Sequence, residues 1–128
     1  MKPLIAAWLL ILVAAVARAG APEVRPVSQD ELLDRQKSAT QAPYVLDVRT
    51  PEEYVAGHVP GAVNIPYDRL ASRIAEVPRD RDVVLYCRTG RRAGIAAEVL
   101  AAGGYTRLEH LTGDIVAWTA QGLPLETP

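Results

Sequence analysis

Short apolar runs alternate with longer amphipathic stretches along most of the chain. Tyr44–Val48 (YVLDV) and Asp82–Tyr86 (DVVLY) are compact and largely apolar, as strands buried on both faces are, and Leu108–Leu111 can make a last strand. Ala62–Ile65 reads as a brief strand between the turn at Pro60-Gly61 and the stop at Pro66. Between these runs lie helical signals. Ser28 followed by Glu31 has capping-box spacing ahead of Leu32 and Leu33, which predicts a helix to about Ser38. Thr50-Pro51 opens a helical turn through Glu52, Glu53 and Tyr54, and Asp68 is placed to cap a helix running to Ala75. The Ala-rich IAAEVLAAGG carries its own C-terminal stop at Gly103-Gly104, and Ile115 and Trp118 give Asp114–Gln121 one apolar face.

Strands alternating with helices predict an α/β fold: a small, doubly wound, mainly parallel sheet with helices on both faces. In such sheets ligands sit beyond the carboxyl ends of the strands, and Cys87 is the first residue past one of those ends.

The amino terminus follows a different pattern. Residues 3–17 are fifteen positions without a charge, preceded by Lys2 and followed by Arg18, with an A-x-A pattern at Ala17–Ala19. This is the layout of a secretory signal peptide over residues 1–19, cleaved after Ala19 or Ala21, and the run is shorter than the roughly 20 residues that span a bilayer. No stable membrane insertion is expected after cleavage. Residues 20–27, with two prolines and no periodicity, read as a leader to a single domain over residues 28–128.

Composition, at 49% apolar and 23% charged, is that of a globular domain. Loss of Lys2 and Arg18 leaves acidic residues in excess, so broad affinity for nucleic acid is not expected. Export would carry the chain to an oxidising compartment, where cysteines usually pair, yet Cys87 is its single cysteine. A lone cysteine is ordinarily a buried, inert one. The surroundings of Cys87 decide otherwise.

Residues 87–92 read Cys-Arg-Thr-Gly-Arg-Arg between a buried strand and a helix start, where main-chain N–H groups and the helix dipole converge. Gly90 lets the loop turn tightly. Arg88, Arg91 and Arg92 oppose the dipole of a helix N-terminus unless an anion binds there, and the same field favours thiolate over thiol at Cys87. A thiolate in a cradle of donors suits attack on an anionic substrate centred on phosphorus, arsenic or sulfur.

Three further segments narrow that choice. LDVRTPEEYVAGHVPGAVNIP at 46–66, VVLYCRTGRRA at 83–93 and LTGDIVAWTAQGLP at 111–124 together resemble the rhodanese family of sulfurtransferases in its single-domain form, and the export signal adds a likeness to periplasmic phage-shock rhodaneses. The resemblance implies that Cys87 takes the outer sulfur of thiosulfate as a persulfide, releases sulfite, and passes the sulfur to cyanide or a thiol acceptor such as a thioredoxin-like protein. It makes Cys87 the nucleophile and the loop of Arg88, Thr89, Gly90, Arg91 and Arg92 the substrate-binding segment, with 3-mercaptopyruvate a poorer donor for so basic a loop. A persulfide carrier without turnover is the alternative. Related phosphatases and arsenate reductases have five residues between Cys and Arg, against four between Cys87 and Arg92, which favours sulfur over phosphate.

Other conspicuous residues read as structural. Asp47 and Arg49 follow a strand, where a carboxylate commonly binds main-chain donors, and an Arg49–Glu53 ion pair is expected. His58, a candidate proton carrier by residue type, lies in the first signature, where the resemblance implies fold maintenance; Trp118 belongs to the core, and His110 ends a predicted strand from which it can approach the site, though nothing in its neighbours demands it. Ala93 stands where the family often has Ser or Thr, and Asp114 where it usually has a second Gly. No cluster has metal-ligand spacing and no Gly-rich nucleotide loop appears, so no cofactor or metal is expected.

Overall fold

The computed structural model describes residues 21–128; the expected signal peptide lies outside the described residues. Five strands form one parallel sheet: β1 (Arg25–Val27), β2 (Tyr44–Asp47), β3 (Val63–Asn64), β4 (Val83–Tyr86) and β5 (Leu108–Leu111), in the order β1-β5-β4-β2-β3. The order puts β4, the strand that runs into Cys87, at the centre. The leader expectation needs correcting here, because Arg25–Val27 pairs with Glu109–Leu111. A three-residue edge strand containing Pro26 is too short for periodicity to show, and proline is tolerated at an edge.

Side chains alternate across the sheet and build two cores. On one face Leu46, Val48, Leu85 and Cys87 pack with Ala93, Ala96, Ala97 and Leu100 of α3 (Arg91–Ala102). On the other, Val45, Val84, Tyr86 and Leu111 meet Leu32 of α1 (Gln29–Gln36) and Ile115 and Trp118 of α4 (Asp114–Ala120). The short α2 (Pro51–Ala56) lies toward that second face, where Tyr54 packs. Helices therefore cover both faces, as the sequence pattern predicts.

Capping follows the sequence at two helices. Ser28 Oγ accepts from the Glu31 N–H at 3.1 Å, and Thr50 with Glu53 forms a complete capping box on α2. Asp68 caps nothing. Residues Ala71–Glu76 form a 3₁₀ segment kinked at Arg73, held by the Tyr105 hydroxyl, which donates toward the carbonyl oxygens of Ile74 (2.8 Å) and Val77 (2.6 Å). That long-range anchor satisfies carbonyls at the end of a segment too short to sustain an α-helix alone.

Asp47, Arg49 and Tyr86 form a closed polar network beneath the end of β2. Arg49 Nη2 lies 2.6 Å from Asp47 Oδ2 and 2.9 Å from the Gly57 carbonyl, and the Tyr86 hydroxyl donates to Asp47 Oδ2 at 2.7 Å while accepting from the Val59 N–H. Burial and the neighbouring Asp47 charge push the Tyr86 hydroxyl far above its ordinary pKa, so it stays a donor. Asp47 and Arg49 are structural, as expected, but Arg49 pairs with Asp47 and not with Glu53. His58 is structural too: it stacks on Tyr54 at 3.7 Å between ring centroids and its Nδ1 lies 2.9 Å from the Tyr54 carbonyl. Replacing Asp47 with Ala leaves the buried Arg49 charge uncompensated, and urea denaturation should show a loss of about 3 kcal/mol; Tyr86→Phe, which removes the donor to Asp47 and the acceptor of the Val59 N–H, should cost about 2 kcal/mol.

Candidate active site

The chain leaves β4 at Cys87 and turns within four residues into α3. Gly90 makes the turn, with φ 119°, a left-handed conformation open to glycine and costly for other residues. Because the turn ends there, α3 starts at Arg91, four residues before the Ala-rich pattern begins, and Arg91 and Arg92 occupy its first turn. The loop's peptide groups are oriented by α4. The Cys87 and Arg88 carbonyls accept from the N–H groups of Ile115 (3.1 Å) and Val116 (3.4 Å), and the Cys87 N–H donates to Asp114 Oδ1 at 2.9 Å. With these carbonyls held by α4, the N–H groups of Arg88, Thr89, Arg91 and Arg92 have no partner among the described residues, and the Gly90 N–H donates to Cys87 Sγ at 3.0 Å.

Cys87 is only 1% exposed, so its sulfur sits at the base of the loop. The structure thus brings Cys87, Arg88, Thr89, Gly90 and Arg91 into one short cradle at the carboxyl end of the central strand, where donors and the dipole of a twelve-residue helix meet. Arg88 and Arg91 are exposed and make no ion pair among the described residues. Arg92 differs from the expectation: its guanidinium grips Glu53 with bonds of 2.6 and 3.0 Å, so its side chain is committed across the site to α2 and only its N–H faces no partner. Glu53, which sequence reasoning assigned to Arg49, belongs to this clamp.

Asp114 and His110 are the residues whose importance the sequence understated. Asp114 takes φ 54°, the one positive value at a non-glycine residue among those described, and its carboxylate meets His110 Nε2 at 2.9 and 3.1 Å. Its place in the glycine-type turn was the available signal. Ala93 is buried in the core under α3. Beside the loop, a cavity of about 590 Å³ is lined by Arg49, Glu53, Arg88, Ile115, Val116 and Leu125, giving the site an apolar flank. A cleft of similar size lies at the amino ends of the strands, but Arg25, Arg35 and Arg107 there are paired with Glu31, Glu109 and Asp82. In the Cys87 loop, by contrast, Arg88 and Arg91 have no ion-pair partner among the described residues.

A family model for the rhodanese-like domain matches residues 28–121. The chain belongs to the rhodanese family. This rhodanese is 40% identical over 98 residues to a sulfurtransferase from Allochromatium vinosum, covering 77% of this chain and 92% of that one. It is 46% identical over 74 residues to the thiosulfate sulfurtransferase PspE of Escherichia coli, covering 56% and 71%. Among solved structures, a rhodanese-related protein from Thermoplasma volcanium superposes with a TM-score of 0.72 at 29% identity, covering 81% of this chain and 99% of that one. A Mycobacterium tuberculosis protein named as a helix-turn-helix transcriptional regulator shares 38% identity over 118 residues, though the rhodanese chain spans half its length.

The Glu53–Arg92 clamp gives a pH signature. Arg92 is the main cause holding the Glu53 carboxyl at about 2, below its ordinary 4.5. A carboxylate with a depressed folded pKa stabilises the fold above its unfolded value and loses that contribution as pH falls through the folded one. Denaturation of the wild type and Glu53→Gln should therefore show a stability difference that is full at neutral pH and vanishes between about pH 4.5 and pH 2.

Proposed function

We propose that this rhodanese is a thiosulfate sulfurtransferase that works through a persulfide on Cys87. The observation that carries the reading is the sulfur of Cys87 at the base of a loop whose free N–H groups and unpaired Arg88 and Arg91 offer a dianion its partners. The Cys87 thiolate attacks the outer sulfur of thiosulfate and forms a new S–S bond. The bond between the two thiosulfate sulfurs breaks, and sulfite leaves with its electron pair. The persulfide's terminal sulfur, left anionic, is held by the loop N–H groups as an oxyanion would be. Cyanide or a thiolate then attacks that outer sulfur, taking it away and returning Cys87 as thiolate. Two half-reactions of this kind give ping-pong kinetics. Neither step calls for a metal or cofactor.

The name of the E. coli relative supports thiosulfate as donor. Because the chain has a single cysteine, no second thiol on it can resolve the persulfide, and the acceptor is another molecule, cyanide or a thiol such as that of a thioredoxin-like protein. The narrow four-residue interval from Cys87 to Arg92, with Arg92 clamped to Glu53, favours sulfur over a tetrahedral phosphate. The amino-terminal segment adds export to the periplasm to this reading. N-terminal sequencing of the periplasmic fraction should return a chain starting at Gly20 or Pro22, and an intact Met1 terminus would overturn it.

Intact mass after thiosulfate exposure should rise by one sulfur, cyanide should remove it with repeated release of thiocyanate, and Cys87→Ser should do neither. Loading without turnover would instead mark a persulfide carrier, and phosphate release from a phosphoester without loading would mark a phosphatase.

A further inference from the structure

Asp114 presents an electrostatic problem. It is 1% exposed, and its carboxylate stands under the loop that the proposed reaction needs for anions, bonded to the main-chain N–H of Cys87 itself. A carboxylate there repels both a thiolate and an incoming dianion. It also holds a left-handed conformation that L-residues adopt at a cost and that glycine would adopt freely. Such a residue persists where its side chain does something that glycine cannot.

The ring of His110 supplies the counter-charge. His110 is on the same face of the sheet as Leu85 and Cys87, and its Nε2 reaches both Asp114 oxygens. The pair lies against the turn of the loop: a Cβ built on Gly90 would come within 3.4 Å of His110 Cε1 and 3.3 Å of Asp114 Oδ2. The titratable and charged groups of the loop and first turn of α3 are Cys87, Arg88, Arg91 and the Glu53-bound Arg92, and β1 and β4 contribute the uncharged Pro26 and Leu85 at the His110 register positions. Glu109, next to it on β5, turns to the opposite face and pairs with Arg25 and Arg35. The His110 side chain is 35% exposed, so it exchanges protons with solvent while Asp114 stays buried.

We infer that Asp114 and His110 form a positioning pair for Cys87, in which the carboxylate fixes the loop's entry and the protonated imidazole cancels its charge, so that the cradle's preference for anions depends on the protonation of His110. The hydrogen bond to Asp114 raises the His110 pKa above its usual 6.5, which extends the cation to higher pH than in a free histidine. The sign follows. Above the raised value His110 is neutral, Asp114 is uncompensated, and anions are disfavoured; below it the cradle accepts them. The inference rests on the reading of this loop as the anion site of a reactive thiolate, and does not depend on thiosulfate being the donor.

Two alkylating probes test it on the full chain. Iodoacetate and iodoacetamide both react with the thiolate, so the ratio of their rates at Cys87 cancels the thiolate fraction and reports local charge. In the wild type this ratio should fall about fivefold between about pH 5.5 and about pH 9, the size expected for removing one unit charge at short range. Its midpoint should coincide with the His110 titration followed by NMR, where His58 is the only other histidine. In His110→Gln the ratio should stay at the low plateau at every pH, and in Asp114→Asn the fall should move toward ordinary histidine pH. A flat wild-type ratio, or a fall that survives His110→Gln, would overturn the pairing. A ratio that behaves as expected in a protein that does not load sulfur from thiosulfate would support the pairing and remove thiosulfate from the proposed function.

Discussion

A strand that ends in a tight loop leaves main-chain groups needing partners, and in this rhodanese the start of α4 provides them without filling the site. Ile115 and Val116 donate to the carbonyls of Cys87 and Arg88, and Asp114 accepts the Cys87 N–H. Once carbonyls on that side are bonded, the remaining N–H groups are what the loop has left to present, and the proposed anion site is a product of main-chain satisfaction. The position of the Cys87 sulfur, the start of α3 and the exposure of Arg88 and Arg91 all follow from this junction.

Charge is partitioned around it with similar economy. Asp47 and Arg49 neutralise each other beneath β2, Glu53 holds Arg92, and Arg25, Arg35 and Arg107 at the far end of the sheet are tied to Glu31, Asp82 and Glu109. What remains unpaired near the loop is positive. The clamp between Glu53 and Arg92 also joins α2 to α3, helices that lie toward opposite faces of the sheet, across the ends of β2 and β4. Connections leaving neighbouring strands toward opposite faces open a crevice there, the usual location of ligands in parallel sheets.

Much of this was legible in the residues. The compact runs at 44–48, 82–86 and 108–111 marked the central strands, because a parallel strand buried on both faces has few polar positions. The cysteine, glycine and arginines of residues 87–92 marked the candidate anion loop, because few other arrangements tolerate that much positive charge at a helix start. Less legible were the features that depend on distant partners. β1 exists because β5 offers it an edge, and the 3₁₀ segment takes its form from Tyr105. The Arg49–Glu53 expectation failed because the end of β2 turns the Arg49 side chain back onto Asp47, while the fold brings Arg92 from a distant helix to Glu53.

By itself, then, the sequence determined the class of fold, the central strands and the loop that carries the single cysteine. Those properties are set by local periodicity, by turn chemistry and by charge density within a few residues. Tertiary structure alone decided which loop arginines remain free, which carboxylate supports Cys87 and where His110 stands. Each of these is a contact between elements separated along the chain, chosen by three-dimensional packing and by the cost of leaving a buried charge or peptide group without a partner.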